Sequence, residues 1–297
     1  MTRVFQVICF AGLIWSLSQS FPQDVQNRPQ PPLDVHLDYR SLQPGEVIKV
    51  TLSGQAAIRH AHFRFSGEKF PLWKSEPTGD YFAFLGLDLG LQPGAQTLVV
   101  TAQLEDGTLG TIQKEIQVIP KDFPVERLRV DQKYVTPPAE ALERIRLEAE
   151  LMRSIYDGYS PDWLGEGTFV LPTGGRVNPN FGRRRVFNDQ PRSQHSGVDI
   201  SCPQGTPVLA SNSGRVVLNH GLYYAGNTVV IDHGLGLFSI YLHLSRMLIE
   251  KGAFVRKGDP IGEVGATGRV TGPHLHWSVR IRGSRVDPLS LLDLRLD

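Results

Sequence analysis

Residues 226–244 read Gly-Asn-Thr-Val-Val-Ile-Asp-His-Gly-Leu-Gly-Leu-Phe-Ser-Ile-Tyr-Leu-His-Leu. Two runs rich in β-branched and aromatic residues, 228–232 and 237–242, flank glycines 234 and 236, which reads as strand, turn, strand. Similar runs recur at 206–210 and 214–218 before this stretch and at 274–281 after it, again between glycine-rich turns. Helical spacing of apolar residues is almost absent from residue 166 onward. The expectation for 166–297 is a compact antiparallel β domain.

Working toward the N-terminus, Thr136-Pro137-Pro138 looks like a helix start, with threonine as cap and proline in the first turn. Leu142, Ile145, Ala149, Met152 and Ile155 follow with helical spacing, Glu140 and Arg144 form a favourable pair four apart, and Gly158 supplies the stop. Residues 121–165 therefore read as a helical connector. Before it, residues 35–120 carry short strands. Ala61, Phe63 and Phe65 alternate with His60, His62 and Arg64, and Asp106-Gly107 sits between two β-rich runs as a hairpin signal. The fold class is mainly β: an immunoglobulin-like β-sandwich, the connector, then the C-terminal β domain. The connector is long enough for the sandwich to fold back toward the C-terminal domain. Residues 21–34 hold Pro22, Pro29, Pro31 and Pro32 among polar residues and read as an extended linker. Residues 1–20 have one basic residue, Arg3, no acidic residue, an apolar run over 4–17, and small residues around Ser18 and Ser20. That is the pattern of a cleavable export signal.

Charge excludes some functions. The chain holds 31 basic and 30 acidic residues, so no global electrostatic case exists for nucleic acid or anionic lipid. Beyond the export signal no apolar run reaches membrane-spanning length. Only Cys202 is left once the signal is removed, so an intrachain disulfide is excluded and a small disulfide-stapled fold with it.

Six of the nine histidines fall after residue 194. Three segments organise them: His195-Ser-Gly-Val-Asp199, Tyr241-Leu-His243 and Gly272-Pro-His274-Leu-His276. In extended chain, His195 and Asp199 share one face, as do His274 and His276. A hydrolytic zinc site takes three protein ligands from histidine and carboxylate and keeps one open position. The His-x-x-x-Asp pair with one member of His-x-His supplies that set. It leaves His243 and the other member to handle protons.

These segments resemble the LytM/lysostaphin (M23) family of peptidoglycan endopeptidases. The resemblance also runs through Phe181-Gly-Arg-Arg184, Gly205-Thr-Pro-Val-Leu-Ala210, Gly226-Asn-Thr-Val-Val-Ile-Asp-His233, Tyr241-Leu-His-Leu244, Gly258-Asp-Pro-Ile-Gly262 and Gly268-Arg-Val-Thr-Gly-Pro-His-Leu-His276, in family order over roughly 170–290. It implies one zinc ion per catalytic domain on His195, Asp199 and His276, with His243 and His274 catalytic. Tyr241, Asn180 and Arg184 are implied as substrate-binding residues. The implied activity is zinc-dependent hydrolysis of peptide cross-links in bacterial peptidoglycan, with D-Ala–diaminopimelate as the bond and a periplasmic enzyme secreted across the inner membrane. A glycyl-glycine endopeptidase, or a non-catalytic wall-binding or amidase-activating protein, are the alternatives, and all five metal and catalytic positions being filled weighs against the last. Protein partners are not readable.

Other chemistry-bearing residues have plainer readings. His60 and His62 lack a third ligand and belong to a polar strand face. His233 reads as a structural hydrogen-bonding residue, His220 as exposed, and Cys202 as a small buried residue rather than a fourth ligand. The glycines at 262, 265, 268 and 272 lack the lysine and the strand-to-helix setting of a phosphate loop. Arg183 and Arg185 read equally as a solvated basic loop or as residues that bind an anionic substrate or nucleic acid.

Overall fold

Strand-forming sequence dominates, and strands are what the chain builds. The computed structural model describes residues 33–294. The expected signal at 1–20, residues 21–32 of the proline-rich stretch and residues 295–297 lie outside the described residues. No helix among the described residues is long and apolar enough to cross a membrane.

The N-terminal part is a pair of four-stranded antiparallel sheets. One is ordered Leu33–Tyr39, Val47–Gly54, Tyr81–Gly86, Trp73–Lys74, the other Glu68–Pro71, Ile58–Phe65, Gly94–Leu104, Leu109–Val118. They enclose a core that includes Val50, Leu52, Phe63, Leu85, Leu98 and Ile116. In Ile58–Phe65 the alternation is visible as burial: Ala61, Phe63 and Phe65 point inward, while Arg59, His60 and Arg64 are exposed.

Every residue of Tyr81–Gly86 is buried, which one packed face cannot explain. Ala83 and Leu85 face the sandwich core, while Phe82 and Phe84 join the core of the C-terminal part with Val47 and Leu89. Trp163 bridges the two, its ring centroid 5.1 Å from that of Phe84 and 6.1 Å from that of Phe82. Two charged clusters close the rim: Arg40 reaches Glu46 and Asp287 at 2.8 and 2.9 Å, and Arg285 reaches Asp88 at 2.7 Å. The sandwich is thus joined to the C-terminal part by direct packing, and Pro31–Asp297 forms one compact unit.

The C-terminal part is built on an eight-stranded antiparallel sheet. Its order is Arg176–Asn178, Gly197–Ser201, Leu275–Ile281, Leu237–Leu244, Gly226–Asp232, Gly214–Leu222, Phe254–Val255, with Ser284–Val286 also on Leu275–Ile281. A small sheet of Pro207–Leu209, Pro260–Glu263 and Arg246–Met247 packs beside it.

The connector differs from its expected form in three respects. It is not all helix: Val125–Leu128 is a strand lying parallel to Arg184–Phe187, which in turn pairs with Gln190–Gln194. The helix spans Ala139–Asp157 with Pro138 at its cap position and no capping side chain. Thr136 is excluded from that role because Pro137, which would then have to open the helix, precedes a proline and is pushed out of helical geometry. Leu142 is exposed, and the helix instead seats Leu151, Met152, Ile155 and Tyr156 on Leu218, Leu222, Val230, Phe238 and Ile240 of the large sheet.

Because Phe84 belongs to a core shared by both parts, Phe84→Ala is expected to cost about 3–5 kcal/mol and to lower the melting temperature of the whole described chain in one transition. Calorimetry that resolved an early N-terminal transition, with the C-terminal part melting as before, would contradict the shared core.

Candidate metal centre

Two neighbouring strands of the large sheet set the site. Asp199 of Gly197–Ser201 and His276 of Leu275–Ile281 are register partners. His195 lies just before the first of these strands. His195, Asp199 and His276 each offer a ligand atom within 4.8 Å of the others. The close approach depends on Gly197: a Cβ there would fall 2.4 Å from the Trp277 carbonyl oxygen and 2.7 Å from His276 Nε2.

Each ligand atom is selected by what its other side bonds. Nδ1 of His195 donates to the Asn180 carbonyl at 3.0 Å, so Nε2 carries the lone pair. The Ser278 hydroxyl donates to the Ser196 carbonyl at 3.1 Å. Ser278 Oγ therefore accepts from His276 Nε2 at 2.7 Å, and the His276 lone pair is on Nδ1. Oδ2 of Asp199 accepts from Asn180 Nδ2 at 2.8 Å and from Arg185 at 3.1 Å. Oδ1 faces the histidines, 2.8 Å from His276 Nδ1 and 3.1 Å from His195 Nε2. The two lone-pair nitrogens face one another at 2.8 Å. Three acceptors gathered this closely in buried surroundings call for a cation between them. Two imidazoles and a carboxylate are the donor set of a first-row transition metal or zinc.

Electrostatics agree. Burial alone would raise the Asp199 carboxyl, but contact with His195 and His276 holds it well below the usual carboxylate range, so it is ionised. Burial lowers His276 to about 4 despite the neighbouring Asp199. Both groups are in the protonation state that metal binding needs.

His243 and His274 complete the wall. His243 Nδ1 donates to the Thr267 carbonyl and His274 Nδ1 to the Gly272 carbonyl, each at 2.8 Å. The Nε2 atoms of both rings are turned away from these carbonyls, and that of His274 is 3.7 Å from Asp199 Oδ1. Burial, reinforced by His276 and His274, lowers His243 to about 3, so it is neutral near pH 7. His243 has φ of +65°, a conformation rare outside glycine, where the strand Leu237–Leu244 carries an extra residue against its neighbour.

The expected substrate-binding residues fare differently. Asn180 lines the cleft but spends its side chain on Asp199, accepting from the Asp199 amide at 3.1 Å as well as donating to Oδ2. Tyr241 does not reach the cleft: it is fully buried, with its hydroxyl bonded to Ser211 and Ser239. The bulge at His243 is the reason, because it breaks the period of two that would have kept both residues on one face. Arg184 points away and donates to the Phe123 carbonyl at 3.0 Å. Arg183 and Arg185, one residue either side, line the cleft instead and both bond Glu126. Glu126, Leu128 and Val130 of the connector form part of the cleft wall, and no described residue of 33–120 does. Away from the site, His220 is exposed, Cys202 turns its sulfur to the Ile200 carbonyl, and His233 is fully buried between Ser213 and Ser239.

Residues 193–288 match the model for Peptidase family M23. The chain is 46% identical over 115 residues to peptidoglycan DD-endopeptidase ShyA of Vibrio cholerae serotype O1, covering 38% of this chain and 27% of that protein. It is 46% identical over 116 residues to the DD-carboxypeptidase/endopeptidase Mpg of Neisseria meningitidis serogroup B, covering 39% and 27%. The chain thus spans about a quarter of the length of these curated relatives. A solved Pseudomonas aeruginosa structure named as a peptidase M23 superposes with a TM-score of 0.67 at 29% identity, covering 86% of this chain and 96% of that one. That likeness extends through the N-terminal sheets.

The buried histidines give a pH dependence. Burial lowers His233 to about 4 from an ordinary 6.5. Between those values the unfolded chain binds a proton that the folded chain refuses, so this stability is complete above pH 6.5 and is lost as pH falls toward about 4. Denaturant unfolding of metal-free protein is expected to show a shallower acid slope for His233→Gln than for wild type. Identical slopes would show that His233 is not the buried neutral group described.

Proposed function

We propose that this chain, whose residues 193–288 match the model for Peptidase family M23, is a zinc-dependent endopeptidase of bacterial peptidoglycan. The observation that carries the reading is the paired arrangement of three converging lone-pair ligands and two further imidazoles with free Nε2 atoms on the same cleft. His195 Nε2, His276 Nδ1 and Asp199 Oδ1 would hold the ion. Zinc at such a position supplies Lewis acidity, polarising an amide carbonyl and acidifying water.

The chain's own residues do the rest. His243, kept neutral by burial and oriented by Thr267, accepts the proton of the attacking water at Nε2. His274, oriented by Gly272, presents its Nε2 on the same wall, and the proton that His243 took up is the one the departing amine receives. Arg185 and Asn180 hold Asp199 so that Oδ1 keeps facing inward. The bond is the D-Ala–diaminopimelate cross-link, a reading supported by the names of the DD-endopeptidase and DD-carboxypeptidase/endopeptidase relatives. Such a substrate places the enzyme outside the cytoplasm, in keeping with an export signal over 1–20 and a periplasmic site of action. Residues 35–120 serve as a non-catalytic domain and 166–297 as the catalytic one.

Purified variants test the division of roles. Asp199→Ala is expected to lose both zinc and turnover of purified cross-linked muropeptides. His243→Ala is expected to keep near-stoichiometric zinc while losing about 10²-fold or more of turnover, the scale of a positioned acid–base group. A metal-free His243→Ala beside a zinc-loaded Asp199→Ala would overturn the assignment.

A further inference from the structure

The cleft contains one cation whose partners are unlike those of its neighbours. Arg185 is paired with Glu126 and Asp199, Arg183 with Glu126, and Arg192 donates to the Val135 carbonyl and to Gln190. The Arg269 guanidinium has no hydrogen bond or ion pair among the described residues. It is held between two aromatic rings, 4.7 Å from the centroid of Phe187 and 4.6 Å from that of Tyr224. Its backbone is fixed by an N–H donated to the Tyr224 carbonyl at 2.8 Å.

Arg269 also stands where substrate must pass. It lines both depressions that meet at His243, one bordered by Asp199 and His274, the other by His195 and His276. Its surroundings are costly for a cation: it is partly buried, and the charges of Arg185 and Arg192 oppose its own. A guanidinium nonetheless stays charged at every working pH. Contact with the two rings leaves its N–H groups without an acceptor among the described residues. Those N–H groups match a carboxylate in two-pronged geometry.

Resting on the peptidoglycan reading above, we propose that Arg269 is the specificity residue that docks a free carboxylate of the substrate peptide beside the scissile amide. The chemistry supplies such a group. In a D-Ala–diaminopimelate link, the carbon bearing the departing nitrogen carries a carboxylate, and the acyl-donor stem carries another on its glutamate. An internal glycyl-glycine link has neither next to the scissile bond. Arg269 would therefore favour acidic cross-links over neutral glycine bridges, with the carboxylate only bound and never consumed.

The experiment uses the full mature protein, zinc-loaded, and three synthetic cross-linked peptides. One carries both carboxylates, one is a carboxamide at the carbon bearing the departing nitrogen, and one is a carboxamide at the donor-stem glutamate. Wild type is expected to lose about tenfold or more in kcat/KM on one of the two amides, which identifies the carboxylate that docks. Arg269→Gln should lose a similar factor on the diacid, mostly in KM, and no longer distinguish acid from amide. Arg269→Lys should recover part of the preference. Calorimetric binding of the same peptides to His243→Ala and to the His243→Ala, Arg269→Gln double variant gives a readout that does not require turnover. Equal handling of all three peptides by wild type would overturn the role of Arg269, as would an Arg269→Gln variant that keeps the wild-type preference. Failure of wild type to cleave any of them, with the carboxylate preference still present in binding, would overturn the endopeptidase reading instead and leave the docking role standing.

Discussion

Asp199 and His276 face each other across one antiparallel pairing, and the rest of the site is arranged around that contact. Two strands can bring a carboxylate and an imidazole to 2.8 Å only if the backbones run close, which Gly197 allows by having no Cβ. Asn180 and Arg185 take up one carboxylate oxygen so that the other is presented inward, and Asn180 and Ser278 choose which nitrogen of each histidine bears the lone pair. The histidine partners are fixed hydrogen-bond acceptors, so the site is pre-set before any ion binds.

The same sheet explains the architecture around the site. Its strands are anchored from one side by the helix Ala139–Asp157 and from another by Phe82, Phe84 and Trp163. The connector adds its own strand against Arg184–Phe187, which places Glu126 beside Arg183 and Arg185 at the mouth of the cleft. Residues far apart in sequence, from 126 to 276, therefore share one wall.

Much of this could be read from the residues alone, because strands have a period of two and metal sites draw on few residue types. The β class, the helix near 139–157 and the five clustered histidine and aspartate positions follow from spacing and chemistry. Departures occur where a local irregularity resets the period. The bulge at His243 turns Tyr241 into the core, although the two residues are two apart in a strand. Arg184 and Arg185 are neighbours of one type, and only strand pairing decides which reaches Asp199. Double burial of Tyr81–Gly86 was invisible for the same reason, since an apolar run does not say what covers each face. Arg269 gave no signal of its own: its significance lies in having no acidic partner among the described residues, which needs three dimensions to see.

The central claim is that hydrogen-bond partners preselect His195 Nε2, His276 Nδ1 and Asp199 Oδ1 as the metal ligands and leave the Nε2 atoms of His243 and His274 free. Nitrogen-15 NMR of the imidazole side chains, recorded before and after stoichiometric zinc, reads this directly. The account predicts that zinc moves the resonances of His195 Nε2 and His276 Nδ1 to metal-bound values. His243 should remain neutral with the proton on Nδ1, and His274 Nε2 should stay free of metal. Zinc-bound resonances at His243 or His274, or coordination through His195 Nδ1 or His276 Nε2, would contradict it.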